Sequence, residues 1–273
     1  MTSLRESMRL HGGGVVSIVG AGGKTSLMFR IAHELSLAGE SVLTTTTTKI
    51  FKPSKKQSFQ LVVSQSLDEI LSKAGVLLKD NPHLTAASKV LRTIFDARSR
   101  DTKMKYQKKL VGFQPEFIDE LLKGGVFQWI LVEADGAAGK PLKAPAAHEP
   151  VIPKSTRWLI GVVALDGVGK PLNDHWVFRP ERFAEITGLH PGEAVNEASI
   201  AAVVLHEQGL MKGASGRVER YVFLNKADLP KGLVKGRAIA ALISSQKNSG
   251  LNRVVIGQAA HEPPVLEYCD VNR

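Results

Sequence analysis

One cysteine, Cys269, stands in 273 residues. That excludes an intramolecular disulfide and a cysteine-built metal cluster, and it fits a reducing cytoplasm. No pair of histidines falls at the helical or ribbon spacing of a zinc site. Long apolar runs are missing as well, so no segment reads as a membrane span. The opening stretch MTSLRESMRLHGGG lacks the apolar core of a secretion signal. The expectation is a soluble, cytoplasmic protein. Acidic residues are the minority, 26 against 36 lysines and arginines, for a net charge of +10. A basic surface suits polyanionic nucleotides, nucleic acid or acidic partners. Much of the excess sits in Arg98, Arg100, Lys103, Lys105, Lys108 and Lys109, near Phe95 and Tyr106. No RNA- or DNA-binding module accompanies this stretch, so it reads as a solvated face, and nucleic acid is not an expected partner.

What is present is an ordinary globular balance, 43% apolar and 23% charged, in a chain long enough for a substantial core. No repeat or linker divides it, and residues 1–273 are read as one domain. The strongest stretch is Val15 to Ser26, VVSIVGAGGKTS. A short apolar run enters a glycine cluster, and Leu27, Met28, Ile31, Ala32 and Leu35 then recur at helical spacing. This is the strand, tight loop, helix order of a phosphate-binding loop. Gly20, Ala21, Gly22, Gly23, Lys24, Thr25 and Ser26 are the expected nucleotide-binding residues. Glycines let backbone N–H groups close on phosphate oxygens, and the helix N-terminus adds partial positive charge. Lys24 can reach the β- and γ-phosphates, and the Thr25 hydroxyl can sit on Mg²⁺. One departure stands out. The pattern G-x-x-x-x-G-K-[ST] wants a glycine at position 18, which is Ile18, so the loop is expected to be flatter or shorter. A dinucleotide fingerprint fails because Thr25 occupies the place of its third glycine. A glycine-rich turn without a ligand remains the plain alternative.

Residues 1–13 read as a weakly ordered lead-in. SVLTTTTTK (Ser41 to Lys49) reads as a strand whose end lies beside the phosphate loop, where Thr48 or Lys49 could touch the γ-phosphate or the metal. Gln60 to Ser64 reads as a short strand and Leu67 to Ala74 as a helix. LTAASKVLRTIF (Leu84 to Phe95) and PEFIDELLKG (Pro115 to Gly124) also read as helical, so about 65–125 is an inserted helical excursion from the core sheet.

VFQWILVEADG (Val126 to Gly136) is an apolar run ending in carboxylates and a glycine, the Walker B arrangement. Alternation puts Glu133 and Asp135 on one face of the strand. Asp135, with Thr25, is the expected Mg²⁺ ligand, and Glu133 the general base or a group behind the metal. The plain alternative is that both cap the next loop. Gly139 to Pro153 is proline-rich and extended, and its Lys140, Lys143, His148 and Glu149 fall next to the expected metal site, where a positively charged loop could clamp phosphates. Arg157 to Gly169 reads as another buried strand. A segment with Asp174, His175, Arg179 and Arg182 follows, then helices from about Pro180 and over Ala194 to Glu207. RYVFLNKADL (Arg220 to Leu229) is a strand ending in Asn225-Lys226-Ala227-Asp228, the N-K-x-D sequence that reads guanine. Asp228 would accept from the guanine N1–H and exocyclic amine, and Lys226 would lay its stem along the base. The last strand, Arg253 to Gln258, could bring Gly257 and Gln258 to the other base edge.

In order, GAGGKT, TTTTKIF, LVEADGAAGKPLKAPAAHEPVIP, DGVGKPL with FRPE, and LNKAD resemble the YqeC family. The likeness spans roughly residues 14 to 230. It implies an accessory role in maturing a selenium-dependent molybdenum hydroxylase, or in selenium cofactor biosynthesis. That hydroxylase or its cofactor-assembly proteins would be the partners. Where the family often reads DGSRG, this chain has Asp135-Gly136-Ala137-Ala138-Gly139, without the hydroxyl and guanidinium. The combined expectation is an α/β, P-loop NTPase-like three-layer sandwich with a mainly parallel sheet. It would bind Mg²⁺ with GTP or ATP, guanine preferred, and hydrolyse slowly through Lys24, Glu133, Asp135 and Thr48. Two alternatives stay open: a small-molecule kinase or cofactor transferase on the same loop, and a nucleotide-gated binding protein or metallochaperone without turnover.

Overall fold

The computed structural model describes residues 2–95, 105–213 and 217–271. Helix α1 (Leu4–Ser7) leads into strand β1 (Gly14–Gly20) and helix α2 (Lys24–Leu37). Next come β2 (Val42–Thr46), β3 (Lys49–Phe51), β4 (Gln60–Val63), α3 (Leu67–Leu77) and β5 (His83–Ala87). The chain continues through β6 (Lys89–Phe95), β7 (Lys105–Val111), α4 (Pro115–Lys123), β8 (Trp129–Glu133), β9 (Leu142–Lys143) and β10 (Thr156–Ala164). It ends with β11 (Val177–Phe178), α5 (Pro180–Thr187), α6 (Glu197–Leu205), β12 (Glu219–Asn225), α7 (Gly232–Ser244), β13 (Arg253–Gly257) and β14 (Val265–Asp270).

Nine strands make one sheet in the order β14-β13-β12-β10-β1-β8-β2-β5-β4. All neighbours pair in parallel except the edge strand β14. Strand alternation divides the core. Val16 and Ile18 of β1 pack with Leu27, Met28 and Ile31 of α2 on one face. Val15 and Val19 join the cluster that holds Ile70, Ile118, Phe183, Ile200 and Ile239 from helices α3 to α7 on the other. The fold is α/β, with helices on both faces of a large, mainly parallel sheet. No helix among the described residues is long and apolar enough to cross a membrane.

The span about 65–125 is not a purely helical excursion. It supplies α3 and α4, but Leu84 to Phe95 forms most of β5 and all of β6, two strands broken at Ser88. Leu84 and Ala86 face one core layer and Ala87 the other. Burial on both faces suits an interior strand, and Thr85 adds a hydroxyl contact to Thr44 of β2 at 2.7 Å. Strands β6 and β7 pair antiparallel and join β3 in a separate three-stranded sheet. Of the basic stretch, Arg98, Arg100 and Lys103 lie outside the described residues, while Lys109 on β7 holds its ammonium 4.9 Å from the Phe51 ring centre.

The lead-in is ordered too. Ser3 and Glu6 form a reciprocal capping box around α1, and Leu4, Met8 and Leu10 are buried against α2 and the sheet. Strand β13 is not the last, since β14 returns antiparallel along it. Finally, β2 does not neighbour β1, because β8 runs between them.

Candidate functional site

Strand β1 ends at Gly20 and α2 starts at Lys24, so Ala21, Gly22 and Gly23 alone make the turn. Ile18 is buried inside β1, and the turn is accordingly shorter than the full phosphate-loop pattern. Two glycines are required by contact. A Cβ on Gly22 would stand 2.2 Å from the Ala164 Cβ. One on Gly23, whose φ is +133°, would stand 2.0 Å from the Asn225 Nδ2. Gly23 is the N-cap of α2, and no side chain caps it. First-turn N–H groups left without a side-chain partner suit an anion.

Parallel pairing sets the carboxylates against this turn. Glu133 of β8 lies opposite Ile18 of β1, and Asp135 follows two residues beyond. The Gly20 N–H donates to Asp135 Oδ2 at 2.9 Å. The buried Lys24 ammonium folds back, donating to the Gly20 carbonyl at 2.6 Å and lying 3.1 Å from Asp135 Oδ1. Glu133 Oε1 is 3.7 Å away. Burial disfavours the Lys24 charge, but Asp135 and Glu133 outweigh it and hold the ammonium above its ordinary range. The Thr25 hydroxyl donates to Glu133 Oε2 at 2.6 Å. Burial pushes the Glu133 carboxyl above its usual range, against the pull of Lys24 and Thr25. The two carboxylates thus address different partners, and Thr25 meets Glu133 rather than Asp135.

Behind them lies an alternating chain of charge. Lys143, fully buried, donates to Asp135 Oδ2, Glu149 Oε2 and the Gly136 carbonyl, at 2.8, 2.8 and 2.6 Å. Arg179 donates to both Glu149 oxygens, at 2.7 and 3.2 Å. Burial would raise the Glu149 carboxyl, but Arg179 and Lys143 hold it below its usual range. The line Lys24–Asp135–Lys143–Glu149–Arg179 therefore runs from the glycine turn to the start of α5.

Asn225, buried at the end of β12, staples the turn to the sheet. Its Nδ2 donates to the Gly22 carbonyl at 2.8 Å, and its Oδ1 accepts from the Ala259 N–H at 2.9 Å. Lys226 donates to Asp166 Oδ2 at 2.6 Å. Asp228 lies 3.8 Å from His261 Nε2, and Gln258 turns its amide to the Glu262 carbonyl. The threonine run chiefly ties strands together. Thr45 donates to the Ala86 carbonyl, Thr46 to that of Glu133 and Thr47 to that of Val151. Thr48 stands at the end of this run, its N–H donating to the Thr46 hydroxyl at 2.9 Å.

This arrangement coincides with a sequence relationship. The YqeC protein family matches residues 16–181. "Uncharacterized protein YqeC" of Escherichia coli (strain K12) is 36% identical over 212 residues, 78% of this chain and 75% of that protein. The chain belongs to the YqeC family. The matched YqeC span carries the glycine turn, both carboxylates, Lys143, Glu149 and Arg179, while Asn225 to Asp228 lie beyond it.

From the sequence, Lys143 and Glu149 read as part of a loop that could clamp phosphates and Arg179 as a polar group for a substrate or partner, with no link among them. Their alternating signs were the one visible signal, and spacing could not join them. A cleft of about 390 Å³ also opens beside Gly22, lined by Lys140, Asp166, His175, Trp176 and Lys226 among others.

Proposed function

We propose that this protein is a Mg²⁺-dependent binder of nucleoside triphosphates, GTP in preference to ATP, that hydrolyses them slowly in the cytoplasm. In this reading the sheet is a P-loop NTPase-like sandwich, and the nucleotide powers maturation of a selenium-dependent molybdenum hydroxylase. The maturation role rests on the family likeness. The nucleotide role rests on one observation: side chains from three elements converge on the glycine turn at one end of the sheet. Thr25 reaches Glu133, Lys24 reaches Asp135, and Asn225 holds Gly22.

Lys24 stays protonated and exchanges Asp135 for the phosphates, where it stabilises the charge that develops as the terminal bond breaks. Mg²⁺ takes oxygen ligands and is usually held by one or two carboxylates, with phosphates and water completing the shell. Thr25 and Glu133 offer such an oxygen pair, and buried Asp135 Oδ1 has no hydrogen-bond partner. Bound there, the ion would neutralise phosphate charge. Asp135, held through Oδ2 by Gly20 and Lys143, anchors the turn once Lys24 has moved to the phosphates. Glu133 and Thr48 position the attacking water, and the Thr46 hydroxyl ties their backbones together, donating to the Glu133 carbonyl and accepting from the Thr48 N–H. Asp228 reads the guanine donor pair, with Lys226 alongside.

Phosphate release from GTP under single-turnover conditions tests this. Turnover should require Mg²⁺ and fall at least about a hundredfold in Glu133→Gln. Thr25→Ala should raise the Mg²⁺ concentration needed. Turnover indifferent to Mg²⁺ or to Glu133→Gln would overturn the hydrolase reading.

A further inference from the structure

The cleft beside Gly22 has features that a phosphate-loop ligand does not use. Its side wall is Trp176, half-buried, with the Lys170 ammonium 4.6 Å from the ring centre on the indole and His175 packed edge-on at 4.8 Å. The turn bearing both rings is built in advance. Asn173 Oδ1 accepts from the His175 N–H at 3.0 Å and from the Trp176 N–H at 3.3 Å. Strand β11 then fastens the turn to β9 through Val177 and Leu142.

Charge in the cleft is unbalanced. Lys140 and Lys226 line it, and Asp166 is the one carboxylate among its lining residues. Among the described residues Lys140 makes no side-chain hydrogen bond or ion pair. Asp166 gives one oxygen to Lys226, while its Oδ1 is buried without a hydrogen-bond partner. A buried carboxylate oxygen without a donor is costly, so it invites a ligand N–H or O–H. The volume of about 390 Å³ falls within the 300–1,000 Å³ typical of small-molecule sites.

We propose that this cleft is a second small-molecule site, distinct from the phosphate loop, for a planar aromatic ring that carries an anionic group. The ring stacks on Trp176, the anion meets Lys140, and a donor on the ring reaches Asp166 Oδ1. Gly22 belongs both to the cleft and to the glycine turn, so a ligand here would lie beside whatever the turn holds.

The probe is 1-naphthyl phosphate, titrated by calorimetry with 1-naphthol and inorganic phosphate as the separated halves. The whole probe should bind at least about tenfold more tightly than either half, the worth of one added favourable contact. Lys140→Ala and Trp176→Ala should each weaken it about tenfold, and Trp176→Phe, which keeps a ring, should restore most of the affinity. Binding should survive in Lys24→Ala, which separates this site from the nucleotide reading. Three results would overturn the proposal: no binding, binding unchanged in both Lys140→Ala and Trp176→Ala, or binding lost in Lys24→Ala.

Discussion

Replacing Gly23 by alanine should damage this protein more than its size suggests. The backbone there has φ +133°, a region costly for any residue with a Cβ, and the strain is about 1–3 kcal/mol. The new methyl would also meet Asn225 Nδ2 at 2.0 Å. Asn225 cannot step aside freely, because it is buried and bonded at both ends, to Gly22 and Ala259. Moving it gives up two hydrogen bonds worth about 0.5–1.5 kcal/mol each. The stiffer unfolded chain returns about 0.4–1 kcal/mol, leaving a net loss of about 2–5 kcal/mol. At about 2–4 °C per kcal/mol, Tm should fall by at least about 4 °C. Gly39→Ala is the control, since its φ is +78° with no atom within 4 Å of the added carbon. It carries the strain without the collision. Thermal and denaturant unfolding should rank Gly23→Ala well below Gly39→Ala. The double variant Gly23→Ala with Asn225→Ala should lose less than the sum of the singles. Equal losses at Gly23 and Gly39, or strict additivity with Asn225→Ala, would refute the reasoning.

Other consequences follow from buried charge and packing. Burial, with His33 nearby, pushes the His83 pKa from 6.5 down to about 4. The unfolded chain therefore takes up this proton first as pH falls below 6.5. Stability should drop by about 1.4 kcal/mol per pH unit towards pH 4 and be unaffected by this group above 6.5. Denaturant midpoints against pH should show that slope, and His83→Gln should flatten it. Lys143→Met leaves Asp135 and Glu149 facing each other without their shared cation, at a cost of about 3–5 kcal/mol in guanidinium unfolding. Adding Glu149→Gln should recover part of the loss. Removing residues up to Leu10 strips three buried side chains, Leu4, Met8 and Leu10, for about 4.5–9 kcal/mol at about 1.5–3 kcal/mol each. An unchanged Tm would contradict the docking of α1.

Strands buried on both faces were the most legible part of this chain. β1, β8, β10 and β12 are mainly apolar, and β1, β8 and β12 end in Gly20, Glu133 and Asn225, with Asp166 two residues beyond β10. Misreadings came where two periods overlap. Leu84, Ala87 and Leu91 fall at helical spacing, yet Leu84 and Ala86 also alternate, and pairing with β2 decided for strand. β14 was missed because Val265, Glu267 and Cys269 share alternate positions, so its inward side is not uniformly apolar, and Pro263 and Pro264 precede it. The lead-in was read as weakly ordered because α1 is a single turn, too short to show helical periodicity, although its Ser3–Glu6 capping box orders it. In the site, residue types were readable and partners were not. Which carboxylate meets Thr25 depends on how β8 lies against β1, and the Lys143–Glu149–Arg179 chain depends on loops whose path the sequence does not encode at short range.

The most direct test of the nucleotide reading is calorimetric titration with GTP and ATP in Mg²⁺, on the wild type, Lys24→Ala and Asp228→Ala. The account predicts GTP binding tighter than ATP, no binding by Lys24→Ala, and equal binding of the two nucleotides by Asp228→Ala. Absence of any triphosphate binding, or binding indifferent to Lys24, would contradict it.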